Sequence, residues 1–190
     1  MNPALTKFWN LPNSLTVARI VAIPVVMVLL CFQGEVASFF GALCFVAAGA
    51  TDFLDGFIAR RQQLVSRFGK FMDPLADKLL VSAALIMLIP LGRVPAWIAF
   101  VIIGRELAVT GLRALAAAEG IILAPDRWGK TKTLLQMAAL TALILHYPYQ
   151  ALDFQRLGMG LLWLALIVTL TSGVGYFQTF FRLYPAGNHS

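Results

Sequence analysis

Long apolar segments alternate with short polar connections along the whole chain. Six segments have about the length of a membrane-crossing helix, which takes roughly 20 residues. They cover residues 15–33, 36–57, 74–92, 94–117, 131–150 and 157–181. The sequence shows no internal repeat and no low-complexity linker. The pattern therefore predicts an all-α integral membrane protein with six transmembrane helices, in a single domain over residues 1–190.

Composition supports a membrane protein and argues against a nucleic-acid-binding one. Charged residues make up 13% of the chain and hydrophobic residues 59%, whereas a soluble domain has about 25% charged residues. The net charge of +6 would suit nucleic acid, but so apolar a chain leaves no soluble face to bind it. We expect a lipid bilayer, and no nucleic acid, among the partners. Cys31 and Cys44 lie in apolar segments and are expected to be small buried side chains, not a disulfide or a pair of metal ligands.

Lysine and arginine are distributed unevenly between the two ends of the predicted helices. Of the 15 such residues, all except Arg93 and Arg156 lie near the termini, between the second and third helices, or on the side that joins the fourth and fifth. Cytoplasmic connections of membrane proteins carry an excess of these residues. Both termini, and the basic clusters, are therefore predicted to face the cytoplasm.

The N-terminal residues are open to three interpretations. Phe8 and Trp9 beside Lys7 indicate a short interfacial segment lying on the lipid headgroups. A disordered terminus is the alternative. A cleaved signal peptide is disfavoured, because positive charges are sparse and no small-residue cleavage site follows the apolar stretch.

Four of the nine acidic residues lie around the connection between the second and third predicted helices. Asp52 and Asp55 are three residues apart, and Asp73 and Asp77 are four apart, so each pair shares a helix face. The two helices are neighbours, so the pairs can converge. Four carboxylates in a low dielectric would repel strongly without cations. Oxygen ligands suit Mg²⁺ or Mn²⁺, and such a cluster can hold two ions about 3.5–4 Å apart.

Two other interpretations of the four aspartates are open. Basic side chains could simply neutralise them, although this leaves the shared helix faces unexplained; these are Arg60, Arg61, Arg67, Lys70 and Lys78. A cation transporter would also place carboxylates in the membrane, but its site belongs near the midplane. The glycines beside the aspartates could admit a substrate to the backbone or serve helix packing alone.

The spacing of these residues resembles the signature of the CDP-alcohol phosphotransferase family. All eight fixed positions of that signature match. They are Asp52, Asp55, Gly56, Ala59, Arg60, Gly69, Asp73 and Asp77. The resemblance covers essentially the whole chain and implies a six-helix bundle that forms a homodimer. It also implies a multi-pass protein of the bacterial inner membrane.

The resemblance also implies roles for individual residues. Asp52, Asp55, Asp73 and Asp77 would bind two divalent ions, Mg²⁺ or Mn²⁺, and Asp77 would also be the general base. The CDP-lipid is expected to contact a further set. That set comprises Asn13, Thr16, Gly56, Arg60, Ser66 and Gly69. Asn13 could equally be the N-cap of the first helix.

A second group of cations predicts the acceptor substrate. Arg105 and Arg113 are eight residues apart, close to two helical turns, so they share a face. Lys130 begins the fifth predicted helix. Three cations that converge on a cavity can bind a phosphomonoester. As alternatives, Arg105 could pair with Glu106 or Asp126, and Lys130 could reflect the cytoplasmic charge bias alone.

The segments 104–113 and 129–133 resemble those of family members that act on glycerol 3-phosphate. The implied reaction converts CDP-diacylglycerol and sn-glycerol 3-phosphate into phosphatidylglycerophosphate and CMP, with the active site facing the cytoplasm. Inositol phosphate and phosphatidylglycerol are alternative acceptors, although three cations argue against phosphatidylglycerol. Lys132 has no assigned role, because its side chain could extend to the headgroups.

Overall fold

The computed structural model describes residues 11–62, 67–121, 128–148 and 152–187. Side chains are described for Ser14 and for residues 16–51, 72, 75–121, 131–148 and 152–183. The described residues form six helices. They are α1 (Leu11–Cys31), α2 (Glu35–Gln62), α3 (Arg67–Leu88), α4 (Ala96–Ala118), α5 (Trp128–Leu145) and α6 (Phe154–Gly187). Each predicted segment overlaps one helix, so the all-α prediction is confirmed.

Glycines in the left-handed conformation terminate α3 and α4. Gly120 has φ +70°, and the next N–H, that of Ile121, donates to the Ala116 carbonyl at 2.8 Å. Gly92 has φ +69°, and the N–H of Arg93 donates to the Leu88 carbonyl at 3.1 Å. These turns satisfy carbonyls that the helix leaves unpaired, in a conformation that costs glycine little.

The helices pack as a bundle around one main apolar core. α1 contacts α2 and α3, α5 contacts α2, α3 and α6, and α4 contacts α3 and α6. Every helix contributes at least one fully buried side chain to the core, among them Val26, Phe45, Leu80, Ile98, Leu140 and Leu162. Gly49 on α2 faces α5, where a Cβ at that position would overlap the end of the Met137 side chain.

The bundle has two ends that differ in the polar groups they contain. At one end, which we call the Arg93 end, Arg93 is buried and donates from Nη1 to the carbonyls of Leu143 and Ile144 at 3.4 and 3.0 Å. Gln155 Nε2 donates to the Arg93 carbonyl at 3.2 Å. The other end, the polar end, contains Asp77, Glu106, Lys132 and Ser172 and is the location of the candidate site.

The outer surface of the bundle is apolar. Phe100 and Val36 are 77% and 70% exposed, which is costly in water but not in lipid. Cys31 is exposed and Cys44 is partly buried. Both cysteines are free thiols. The expectation that they are buried was wrong for Cys31 and only partly right for Cys44, because the apolar segments of this bundle turn one face outward.

One stretch of the described residues, Phe154–Leu183 in α6, is both long and apolar enough to cross a bilayer. The apolar stretches Thr16–Cys31, Glu35–Thr51 and Thr131–Leu145 are shorter. Six membrane crossings and cytoplasmic termini therefore stay predictions. The interfacial segment predicted at Lys7, Phe8 and Trp9 lies outside the described residues.

Candidate active site

A cavity of about 410 Å³ opens at the polar end, among residues of α3, α4, α5 and α6. Among the described residues that line it are four cations and one carboxylate, Glu106. The cations are Lys78, Arg105, Arg113 and Lys132. The structure thus brings Arg105 and Arg113 to one cavity, as their spacing predicts. A cavity so rich in cations favours an anionic ligand.

The Arg105 guanidinium is held firmly at the wall of this cavity. Its Nη2 donates to Ser172 Oγ at 2.8 Å, and its Nη1 donates to Glu106 Oε1 at 3.2 Å. The side chain is only 8% exposed. Its Nε is buried and has no hydrogen-bond partner within the described residues. The pairing with Glu106 that the sequence left open is therefore present, but Arg105 still lines the cavity.

Glu106 joins Arg105 to a second buried cation. Lys132 is 7% exposed and its Nζ donates to the same oxygen, Glu106 Oε1. Thr110 Oγ1 donates to the Glu106 backbone carbonyl at 2.6 Å. Lys132 therefore points into the protein, contrary to the interpretation that it extends to the headgroups. The Glu106 carboxylate lies between the two cations and offsets their mutual repulsion.

A smaller cavity of about 20 Å³ adjoins the first and contains Asp77. Lys78, Glu106 and Lys132 line both cavities, so the candidate base and the cation cluster belong to one site. Gln136 also lines the small cavity, and its Nε2 donates to Thr169 Oγ1 at 3.2 Å.

Arg19 fixes α1 against α2 immediately before the first predicted metal ligand. Its side chain is 1% exposed, its Nε donates to the Ala48 carbonyl at 3.2 Å, and its Nη2 donates to Thr51 Oγ1 at 3.3 Å. Thr51 Oγ1 in turn donates to the Ala48 carbonyl at 2.6 Å. Thr16, one turn before Arg19, is fully buried and has polar or ring contacts of its own.

Several predicted site residues have side chains that lie outside the described set. They are Asn13 in α1, Asp52, Asp55, Gly56 and Arg60 in α2, Gly69 and Asp73 in α3, and Lys130 in α5; Ser66 lies outside the described backbone as well. Among the described side chains, no group of three acidic, histidine or cysteine residues could hold a metal. Since three of the four aspartates are not in that set, the metal site stays a prediction. The donor chemistry of four carboxylates fits Mg²⁺ or Mn²⁺.

From the sequence alone, Glu106 was only a possible partner for Arg105, and Lys78 only a cation that could neutralise the aspartates. No residue of α6 was assigned to the site. Ser172 and Tyr176 line the larger cavity, and Thr169 contacts Gln136. These three α6 residues recur at spacings of three and four, which places them on one helix face. That periodicity is the signal by which α6 could have been found.

Comparison with known proteins agrees with the signature. A family model described as CDP-alcohol phosphatidyltransferase matches residues 9–171. The chain is 44% identical over 183 residues to a CDP-diacylglycerol–glycerol-3-phosphate 3-phosphatidyltransferase of Bacillus subtilis, with 90% of this chain and 94% of the relative covered. It is 43% identical over 170 residues to the protein of the same name in Rickettsia bellii, covering 89% and 94%. It is also 39% identical over 156 residues to a cardiolipin synthase (CMP-forming) of Oryza sativa subsp. japonica, covering 75% and 47%.

Proposed function

The chain belongs to the CDP-alcohol phosphatidyltransferase family, and on that premise we propose that it transfers a phosphatidyl group from CDP-diacylglycerol to sn-glycerol 3-phosphate. The products are phosphatidylglycerophosphate and CMP. The observation that carries this acceptor is the cavity whose buried cations, Arg105 and Lys132, adjoin the chamber of Asp77. The Bacillus and Rickettsia relatives bear the name of the same activity.

The cation cluster supplies what a phosphomonoester requires. Arg105 presents a planar fork of donors that suits phosphate oxygens, and Ser172 fixes its orientation. Lys132 and Lys78 add point charges within the same cavity, and the exposed Arg113 lies at its wall. We assign Lys130, at the start of α5, to the same phosphate. A neutral polyol would leave the excess positive charge of the cavity without a counter-charge, whereas a phosphate dianion would offset it.

We assign Asp77, which lines the smaller cavity, the role of general base. Its carboxylate would take the proton of the glycerol 1-hydroxyl, and the resulting oxygen would attack the phosphorus that carries the diacylglycerol. A bond forms between that oxygen and phosphorus, and the bond from phosphorus to the CMP oxygen breaks, with its electron pair leaving on CMP. Divalent ions bound by Asp52, Asp55, Asp73 and Asp77 would neutralise the pyrophosphate and stabilise charge at phosphorus.

We assign the CDP-lipid to the side of the site formed by α1, α2 and the start of α3. Its proposed contacts are Asn13, Thr16, Gly56, Arg60, Ser66 and Gly69. The Arg19 contacts support this assignment, because they hold α1 and α2 together at the turn that precedes Asp52. The acyl chains would stay in the bilayer beside the apolar outer surface, while the headgroups react at its edge.

The proposed setting is a bacterial inner membrane, which the chain crosses several times with its polar end towards the cytoplasm. The charge distribution supports this orientation, because Arg93 and Arg156 are the two cations assigned to the opposite side. A homodimer is the assembly expected of the family. The family match favours a transferase over the cation transporter that the four aspartates also allowed.

Phosphatidylglycerol is the second candidate acceptor, because the Oryza relative is named a cardiolipin synthase. The two acceptors differ at the phosphate. Glycerol 3-phosphate carries a terminal dianion that can enter a cavity, whereas phosphatidylglycerol carries a monoanionic diester attached to two acyl chains. Arg105 and Lys132 are both buried, which favours the smaller and more highly charged molecule.

An acceptor panel tests the proposal. Purified protein with CDP-diacylglycerol and Mg²⁺ is given glycerol 3-phosphate, inositol phosphate, phosphatidylglycerol or glycerol, and CMP release is measured. Glycerol 3-phosphate should be the preferred acceptor. Arg105→Lys should lower kcat/KM for it about tenfold to hundredfold, the range expected for loss of a charge-assisted hydrogen bond.

The matched control is Arg156→Lys. Arg156 lies at the start of α6, is 89% exposed, and pairs with Asp153. This variant should leave kcat/KM unchanged, since an exposed ion pair contributes little. Preference for another acceptor, or equal activity of Arg105→Lys and wild type, would contradict the assignment of the cavity to glycerol 3-phosphate.

A further inference from the structure

Glu106 occupies the boundary between the two parts of the site. It lines the larger cavity with Arg113 and Ser172, and it lines the smaller cavity with Asp77. Any acceptor whose phosphate lies among the cations, and whose reacting hydroxyl lies at Asp77, has its central atoms beside Glu106. This residue is therefore positioned to contact the middle of the acceptor.

The Glu106 carboxylate has hydrogen-bonding capacity left over. Oε1 accepts from Arg105 Nη1 and from Lys132 Nζ. Oε2 accepts no hydrogen bond within the described part of the chain, yet it is not a fully buried atom. An ionised carboxylate has about four lone-pair positions. Two of them remain for a donor that enters the site.

The larger cavity is rich in donors and poor in acceptors. Its four cations can only donate hydrogen bonds. Ser172 Oγ already accepts from Arg105, and Thr110 Oγ1 already donates to the Glu106 carbonyl. Glu106 is the one carboxylate among the described lining residues. Glu106 is therefore the strongest hydrogen-bond acceptor that the described lining residues offer to a substrate hydroxyl that does not react.

We propose that Glu106 Oε2 accepts a hydrogen bond from the 2-hydroxyl of the glycerol phosphate acceptor and so makes the enzyme specific for an acceptor with a hydroxyl at that carbon. This inference rests on the proposed function. Arg105 and Lys132 hold the Glu106 carboxylate through Oε1, which leaves Oε2 available to a ligand. Glu106 is thus a specificity-determining residue, distinct from the base.

The test compares two acceptors in wild type and in Glu106 variants. One acceptor is glycerol 3-phosphate. The other is 3-hydroxypropyl phosphate, which keeps the phosphate and the reacting hydroxyl but lacks the middle one. Wild type should prefer glycerol 3-phosphate in kcat/KM by about tenfold to hundredfold, as expected for a hydrogen bond to a charged group.

The variants should change the preference itself. Glu106→Ala should bring the ratio of the two kcat/KM values close to one, and Glu106→Gln, which keeps a neutral carbonyl oxygen, should give an intermediate ratio. Ser172→Ala is the control, because it disturbs Arg105 and should weaken both acceptors alike without changing their ratio. If Glu106→Ala fails to fold, Glu106→Gln alone decides the outcome.

The possible failures are distinguishable. A wild-type ratio near one, or an unchanged ratio in Glu106→Gln and Glu106→Ala, would overturn the role of Glu106 while leaving transfer to glycerol 3-phosphate intact. No transfer to either acceptor by wild type would overturn the proposed function, and this inference with it.

Discussion

Gly173 on α6 lies directly against the Arg105 side chain on α4. A Cβ at position 173 would be 3.1 Å from Arg105 Nε and 3.2 Å from its Cγ, which is closer than ordinary van der Waals contact. The absence of a side chain at Gly173 therefore lets the Arg105 guanidinium pass along α6 to Ser172. The position of Arg105, the cation to which we assign the acceptor phosphate, therefore depends on a glycine on another helix.

Gly173→Ala should displace Arg105 by a few tenths of an ångström. We expect KM for glycerol 3-phosphate to rise by roughly threefold to tenfold, because small misplacements of binding groups weaken productive geometry. KM for CDP-diacylglycerol should not change, since its proposed site lies on α1 to α3. Steady-state kinetics with each substrate varied in turn would measure both constants.

Gly175→Ala is the matched control on the same helix. A Cβ at Gly175 would meet nothing within 4 Å, and alanine favours a helix interior over glycine by about 1 kcal/mol. This variant should keep both KM values. An equal effect of the two substitutions would mean that α6 itself, and not its contact with Arg105, controls the acceptor.

Arg19→Ala should affect both stability and the metal requirement. The substitution leaves the Ala48 carbonyl and Thr51 Oγ1 without the donors that Arg19 gives them, and it empties a fully buried position. The free energy of unfolding should fall by about 2–4 kcal/mol. The Mg²⁺ concentration for half-maximal activity should rise severalfold, because the turn of α2 that leads into Asp52 loses its anchor.

The Arg19 prediction is measured by thermal unfolding in detergent and by Mg²⁺ titration at a temperature where the variant is folded. Arg19→Lys should recover part of both losses, and Arg182→Ala, an exposed position on α6, should alter neither. A folded Arg19→Ala protein with a normal Mg²⁺ requirement would show that these contacts only stabilise the bundle.

Arg93→Met should destabilise the protein without changing its kinetics. Arg93 donates to the carbonyls of Leu143 and Ile144, which lie at the C-terminal end of α5, where a cation and donors are favourable. The expected loss is about 1–3 kcal/mol, seen as a lower Tm. KM values of the folded variant should equal those of wild type; a changed KM for either substrate would connect the Arg93 end to the site.

Chelation and the base variant should both abolish transfer. EDTA should stop the reaction and added Mg²⁺ or Mn²⁺ should restore it, if four carboxylates bind the ions.

Asp77→Asn should lower kcat by about 10²–10⁴-fold, the usual contribution of a positioned base. Asp153→Asn is the matched control, because Asp153 is exposed and pairs with Arg156 at the start of α6; a similar loss in that variant would show that Asp77 has no special role.

The sequence predicted the helices well and their polar contacts poorly. Apolar segments of about 20 residues determine where helices form, and the structure has one helix for each. The sequence could assign Arg105 and Arg113 to one cavity, because both lie on one helix and are about two turns apart. The helix ends were less predictable: α1 begins at Leu11 and continues past Pro24.

Contacts between distant helices could not be predicted in this way. Ser172 is 67 residues from Arg105 and Lys132 is 26 residues from Glu106, and no periodicity within one helix relates them. Lys132 had no role from sequence because a lysine near a helix end can extend to the headgroups or turn inward to a carboxylate. The direction of the Lys132 side chain, and the contact between Arg105 and Ser172, depend on how the helices pack. Here α4 packs against α6, and α3 packs against α5.

Transfer of label from glycerol 3-phosphate into lipid tests the central claim most directly. Purified wild-type protein is incubated with CDP-diacylglycerol, Mg²⁺ and glycerol 3-[³²P]phosphate, and both chloroform-soluble ³²P and released CMP are counted. The account predicts labelled phosphatidylglycerophosphate, with one CMP released for each labelled lipid. CMP release without labelled lipid, or no labelled lipid at any acceptor concentration, would contradict it.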